Sequence, residues 1–475
     1  MKTISIKHCF LLIPVLIVLI IQIPNLGLPY FYDEAWSYIP SIKKMAEVGP
    51  SLLPGVLPIG DCKGHPQMFF FIASIWMNLF HGNIIMMRIL PLLFSLGVLG
   101  SVYVLMLKLV NWESAMIATL LISVQPVFLA QSIFLLPEML MIFLFVLSFY
   151  FFLNRQFTAY AISNTIMVLT KETAIVFAIS FGLYYLFSLF LKSNREKHRH
   201  IYLLALATPG IFYAAFLLLH YLKFGVVFYG DHLGYVSLDW PSIHYKIFIG
   251  YRSILIDYGK RFISMAAIVG LIAMIIQGPK YTRFLILGIV SFLSYMLFTI
   301  LNFYTLRYSM AALVIYLIVF ACVIGQLRIN NLIKAGITFT LAAICLYFSL
   351  TQKQSSDIDL GYVETVKIYQ QTVHFCENNN LYDQPIATSF NIGLCLHLYD
   401  LGYVKGDKSF SHITDVPHYL EARYLIYEST MPTPTPETDY AIKNFKLVKS
   451  FVDHHAWAYI YENTQYQATA VNTIP

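Results

Sequence analysis

Pro66-Gln67-Met68-Phe69-Phe70-Phe71-Ile72-Ala73-Ser74-Ile75-Trp76-Met77-Asn78-Leu79-Phe80-His81 is apolar for most of its length but spans only about sixteen residues. A helix needs about twenty residues to cross a hydrocarbon core of ~30 Å. Counting this stretch as a span would invert the side of every later segment. The densest basic block, Lys192-Ser193-Asn194-Arg195-Glu196-Lys197-His198-Arg199-His200, would then lie outside. Lys and Arg favour the cytoplasmic side. Reading 66–81 as a helix along the membrane interface keeps that block inside, with Lys280, Arg283 and Arg328 marking two more cytoplasmic turns.

The rest of the chain fits this choice. The run from Cys9 to Leu28 follows Lys2 and Lys7. It is long for a signal-peptide core and lacks a small-x-small cleavage site, so it reads as an uncleaved first span with a cytoplasmic amino terminus. Further apolar runs lie at about 84–109, 114–134, 139–153, 158–170, 173–192, 201–222, 261–277, 283–303, 308–327 and 331–350, giving about eleven spans. The extracytoplasmic side then receives a first loop at 29–83, turns near 135–138 and 171–172, a loop at 223–260, the turn at 302–307 and the carboxyl-terminal tail.

Composition agrees. Of 475 residues, 58% are hydrophobic and 12% charged, against about 25% charged in a soluble domain. That excludes a soluble multidomain protein, a disordered chain, a coiled coil and a secreted disulfide scaffold. The net charge of +6 is carried beside apolar blocks and reads as membrane orientation, not nucleic-acid binding. Of the six cysteines, only Cys376 and Cys395 are placed to pair outside the membrane. No Asn-x-Ser/Thr acceptor occurs, which disfavours a lumenal glycoprotein.

Beyond Leu350 polar residues return to soluble frequency. Val363, Val366, Tyr369 and Val373 fall at helical spacing, Ile386–Phe390 and Tyr424–Tyr427 read as strands, and Phe445–Val452 with Trp457–Tyr461 as a hairpin. Pro432, Pro434 and Pro436 read as a stiff loop. The expected organisation is a transmembrane domain, 1–350, and a small extracytoplasmic α/β domain, 351–475.

The residues able to carry chemistry gather on the outer side. Asp33-Glu34 directly follows the first span, within Tyr32-Asp33-Glu34-Ala35-Trp36-Ser37-Tyr38. Carboxylates at that depth are costly unless solvated, paired or employed, although a solvated loop start inside an aromatic belt would look the same. Lys63-Gly64-His65-Pro66 opens the interfacial segment, where cations beside a helix start suit phosphate and Pro66 suits the first turn. Pro137-Glu138, Thr170-Lys171-Glu172-Thr173 and Arg307-Tyr308 sit at outer span ends. Singly these read as a helix-start charge, a charged turn and a snorkelling arginine. Together they form a rim of acids and cations.

In this order, Asp33-Glu34, His65-Pro66, Pro137-Glu138, Thr170-Lys171 and Arg307-Tyr308 resemble the C-type membrane glycosyltransferases (GT-C) over about residues 1–330. The nearest groups are the protein O-mannosyltransferases, the lipid A aminoarabinose transferases and the Rgt-type sugar transferases. The resemblance implies an inverting hexosyl- or pentosyltransferase of the bacterial plasma membrane, working on its outer face. A sugar would move from a polyprenyl-phosphate carrier to a hydroxyl of a lipid, glycan or protein. Asp33, Glu34 and Glu138 would be the catalytic acids, with Asp33 the base. His65, Lys63, Arg307, Lys171 and Tyr308 would hold the donor phosphate. No cofactor is obligatory, but a divalent metal between Asp33 and Glu138 is compatible with the chemistry. The pattern departs at Gln67, where a second proline is usual, and at Leu136, where an arginine is usual. The alternative is a transporter or flippase of a lipid-linked substrate, for which charges near the bilayer midplane would be expected.

Overall fold

The computed structural model describes residues 10–190, 199–406, 408–431 and 433–466. Lys2, Lys7, Cys9, Pro432 and residues 192–198 of the basic block fall outside these. Helices follow the apolar runs, but not all are of spanning length. Among the described residues six are long and apolar enough to cross a membrane: Ile84–Leu109, Glu172–Leu189, His200–Phe224, Lys260–Gln277, Thr282–Leu301 and Asn331–Thr351. Leu12–Asn25, Trp112–Ser123, Glu138–Leu153, Phe157–Thr170 and Met310–Gly325 are apolar but shorter. By length and composition alone, the described helices thus support six of the roughly eleven expected spans.

Proline accounts for part of the difference. The run 114–134 breaks after Ser123, and a new helix starts with Pro126 as its first residue. Proline lacks the N–H a continuing helix needs and disfavours helix at the residue before it. The segment that decided the topology is a 13-residue helix, Met68–Phe80. It starts two residues later than expected, so Pro66 precedes the helix instead of opening its first turn. The region 223–260, expected as a loop, contains the helices Gly230–Gly234 and Trp240–Tyr251. The second is capped by Asp239, whose side chain accepts from Ser242 N, with Pro241 just inside. Asp-Trp-Pro-Ser is standard helix-start grammar, so the sequence did carry this signal.

Small residues let helices approach. A Cβ built on Gly325 would lie 1.9 Å from Ser114 Oγ, and the Gly325 carbonyl accepts from both Asn111 and Lys334. Close backbone contact with polar bridging is how apolar helices gain specificity when lipid offers no hydrophobic drive.

The chain divides into two units: Met1–Leu26 with Ser37–Gln352, and Gly27–Trp36 with Lys353–Pro475. The first half of the stretch bearing Asp33, read as part of a first loop of the membrane domain, thus belongs with the carboxyl-terminal unit. Tyr30 N donates to Leu401 O, and the Phe31 ring meets Tyr369 edge-on at 5.8 Å.

In that second unit five strands form one sheet in the order β2-β1-β3-β5-β4. They are β1 (Ile386–Thr388), β2 (Ile413–Asp415), β3 (Tyr424–Glu428), β4 (Lys446–Asp453) and β5 (Ala456–Glu462). β1 runs parallel to β2 and β3, while β5 is antiparallel to β3 and β4. Helix Tyr362–Asn378 buries Val366, Tyr369 and Val373, as its apolar spacing requires. The hairpin falls within a residue of its expected bounds. Two expectations need correction. Phe390 starts a helix instead of ending β1. Pro436 is not loop but the first residue of helix Pro436–Asn444, capped by Thr435. Cys376 and Cys395, the two cysteines placed to pair outside the membrane, are separate buried thiols, each packed as a small apolar side chain.

Candidate active site

Within the first unit three charged side chains come from three places. Glu138 is the first residue of its helix, Lys171 is the extended residue between Thr170 and Glu172, and Arg307 lies in the turn before Met310. Lys171 Nζ donates to Glu138 Oε1 at 2.8 Å, and Arg307 Nε lies 3.0 Å from the same oxygen. All three are at most 5% exposed. One carboxylate therefore lies between two cations, leaving a buried cluster of net charge +1. Burial alone would favour neutral lysine, but Glu138 holds the Lys171 ammonium above its ordinary range. Tyr308 closes the cluster, its ring centre 3.9 Å from Lys171 Nζ and 5.3 Å from the Arg307 guanidinium carbon.

The turn leading into Glu138 is held from the neighbouring helix. Arg88, 1% exposed, donates to Ile133 O at 3.0 Å, and Ser95 donates to Ser132 O. Arg88 was not singled out in the sequence. The signal was an arginine inside an apolar helix, which is rarely placed there without a partner. It braces the turn that carries Leu136.

A second polar cluster centres on His65. Lys63 and Gly64 both adopt positive φ, 50° and 72°, and deliver His65 just ahead of helix Met68–Phe80. A Cβ on Gly64 would meet Tyr229 Cβ at 3.0 Å, so this turn is built for glycine. His65 Nδ1 lies 2.7 Å from Glu172 Oε2. The His65 ring stacks over Tyr38 (6.4 Å, 12°) and lies 5.1 Å from the ring of His232. Tyr38 is buried, and burial followed by the field of Glu138 raises its phenol well above the usual range. Lys63 lies over the Tyr229 ring at 5.7 Å.

His65, Glu172 and Tyr308 share the wall of a cavity of about 310 Å³, whose remaining lining is largely aromatic and aliphatic, including Phe228, Leu233, Val236, Phe298 and Phe303. A pocket with a polar end and apolar sides suits an amphiphile. Arg307 does not itself line it; its neighbour Tyr308 does. His232, Tyr213 and Tyr235, also lining residues, were not foreseen. They come from segments read as a span and a loop with no motif of their own.

In the second unit Asp33 is half-buried and its Oδ1 accepts from Trp36 Nε1 at 3.0 Å. The preceding residue, Tyr32, has φ of +57°, a left-handed conformation that costs a bulky side chain energy and tends to mark functional turns. The residues after Asp33 form a π-type turn, Glu34–Tyr38, a geometry frequent at functional sites. Glu34, expected beside Asp33 as a second acid, is fully enclosed at 0% exposure. Of the pair, Asp33 is the carboxylate with solvent exposure.

Comparison with known proteins supports the fold. The dolichyl-phosphate-mannose-protein mannosyltransferase family matches residues 64–217 at sequence level. No curated protein sequence matches. Among solved structures, ArnT from Cupriavidus metallidurans in the apo state is similar over 96% of this chain and 98% of its own, at 12% identity and a TM-score of 0.60. The same protein bound to undecaprenyl phosphate covers 97% and 98%, at 11% identity and 0.55. The archaeal oligosaccharyltransferase AglB from Archaeoglobus fulgidus, in complex with an inhibitory peptide and a dolichol-phosphate, is similar over 98% of this chain and 75% of its own, at 10% identity and 0.54. The fold is similar to those of ArnT and AglB.

Proposed function

We propose that this protein transfers a sugar from a polyprenyl-phosphate carrier to a hydroxyl acceptor, with inversion at the anomeric carbon. The observation that carries the reading is the cavity of about 310 Å³, apolar along its sides and bounded at its polar end by His65, Glu172 and Tyr308. That shape fits an isoprenoid tail and a phosphate head. Lys171 and Arg307, adjoining through Tyr308, supply a positive field for the phosphate as it leaves. Asp33 takes the proton from the acceptor hydroxyl as its oxygen attacks. The displaced carrier phosphate is the leaving group, so no carboxylate nucleophile is needed. Glu138, engaged by two cations, sets their positions. The undecaprenyl phosphate in one similar structure and the dolichol-phosphate in another accord with this donor class.

The discriminating experiment is purified protein given a short polyprenyl-phosphate sugar and an alcohol acceptor. Glycoside formation, or slow release of free sugar, is expected. Flux of the lipid across vesicles without either product would instead establish a transporter.

The orientation is part of the same proposal: a bacterial plasma-membrane protein with residues 351–475 outside and the 192–200 block in the cytoplasm, on the charge asymmetry of its loops. Cysteine probes at 196 and 440 test it. An impermeant reagent should modify only the second, and labelling of only the first would reverse the orientation.

A further inference from the structure

His65, Glu172 and His232 each present one ligand atom, all within 4.8 Å of one another. They are brought together from three separate segments: the turn before Met68, the start of Glu172–Leu189 and the short helix Gly230–Gly234. Glu138 and Asp33, the acid pair whose chemistry the sequence left compatible with a metal, are not part of this group. Two imidazoles and one carboxylate form a donor set for zinc and its neighbours, since magnesium and calcium prefer oxygen alone. Three protein ligands also leave a coordination position open, as in metal sites that engage a substrate.

Geometry supports an ion here. Ligand atoms around a tetrahedral ion at ~2.1 Å lie roughly 3.4 Å apart. His65 Nδ1 and Glu172 Oε2, hydrogen-bonded to each other at 2.7 Å, would part by roughly 0.7 Å to take an ion between them. Closure falls to His232, half-buried on a helix of five residues. Its ring is steered by Tyr229, edge-on at 5.6 Å, while Tyr38 backs the ring of His65. Lys171, next to Glu172 in the chain, is engaged by Glu138, while Glu172 pairs with His65. All three candidate ligands line the apolar-sided cavity.

We propose that His65, Glu172 and His232 bind one zinc-class divalent cation whose open position accepts a phosphate oxygen of the lipid in the cavity. Binding of the ion stands on its own; the phosphate contact rests on the proposed donor class. The ion would add positive charge to a cavity wall shared with Tyr308, whose ring Lys171 and Arg307 lie against. It would also explain two histidines facing one another in a pocket otherwise suited to a hydrocarbon.

The test uses the full-length protein in detergent, stripped with chelator and titrated with Zn²⁺ by calorimetry and elemental analysis. One equivalent should bind, with roughly tenfold or greater weakening in His232→Ala and in Glu172→Gln, and no competition from excess Mg²⁺. His232 lies on a short outer helix, so its variant should elute and melt like the parent without metal. Farnesyl phosphate is the probe for the open position: Zn²⁺ should tighten its binding several-fold in the parent and not in His232→Ala. Binding below one equivalent, or equal affinity in parent and both variants, overturns the site. Farnesyl phosphate held equally with and without Zn²⁺ overturns the phosphate contact. Stoichiometric zinc with no farnesyl phosphate binding would leave the ion site standing and remove the lipid-phosphate reading.

Discussion

Asp33→Asn is expected to lower sugar transfer by about two to four orders of magnitude, the usual cost of losing a general base. The substitution is well suited to isolate that role. An asparagine keeps the oxygen that accepts from Trp36 Nε1 at 3.0 Å, so the local turn should persist. Trp36 itself meets Phe390 edge-on at 5.8 Å and anchors the turn to the carboxyl-terminal unit independently of charge. Thermal stability and farnesyl phosphate affinity should therefore stay close to the parent while turnover collapses. Glu34→Gln serves as the contrast: it alters an enclosed carboxylate and should change stability more than the chemical step. Turnover of Asp33→Asn within a few-fold of the parent would remove Asp33 as the base and require another acceptor for the proton.

What the sequence made legible, and what it did not, follows from the range of the interactions. The apolar runs are local, and helices occupy them. The short length of 66–81 separated it from the spans, and its helix has 13 residues. The β3 and β5 strands fell within a residue or two of their expected bounds because alternation is also local. Pro126 was visible but its effect was not weighed against the continuous apolar run around it. The capped helix at Trp240 was overlooked for a different reason: its signal is a cap motif, not periodicity.

The site was legible only as a set of candidates. Five segments were read as an outer rim, but partner choice is a tertiary property. Glu138 pairs with Lys171 across 33 residues, and His65 with Glu172 across 107. Nothing in the local sequence distinguishes Lys171, which is buried, from Lys63, which lies on a tyrosine face. The same limit hid Arg88 and His232, and it hid the attachment of Gly27–Trp36 to the carboxyl-terminal unit. That last association has a functional consequence. The carboxylate proposed as base is carried by the unit whose sheet has no motif in common with the membrane segments. Changes in that unit should therefore affect turnover even where they touch no donor residue.

Removal of the shared carboxylate should have the largest effect on the membrane unit itself. Glu138→Gln leaves Lys171 and Arg307 close together and almost wholly buried, with no anion between them. Breaking a buried pair by removing one partner costs about 3–5 kcal/mol, so the purified variant should melt markedly earlier. The two cations would then be available to an external anion. A lipid phosphate that reaches them should restore stability, by about 2.7 kcal/mol when present at 100 times its dissociation constant. Farnesyl phosphate should thus raise the melting temperature of Glu138→Gln more than that of the parent, whose cations are already partly satisfied. Arg307→Lys sharpens the test. Lysine conserves charge but lacks the planar fork that grips two phosphate oxygens, so lipid-phosphate affinity should fall although the net charge is unchanged. If Arg307 served only as an anchor at the interface, lysine would do equally well and the lipid phosphate would rescue neither variant. Equal affinity in the parent and Arg307→Lys, together with no rescue of Glu138→Gln, would make this cluster a structural ion-pair network and move the phosphate site to the His65 side of Tyr308.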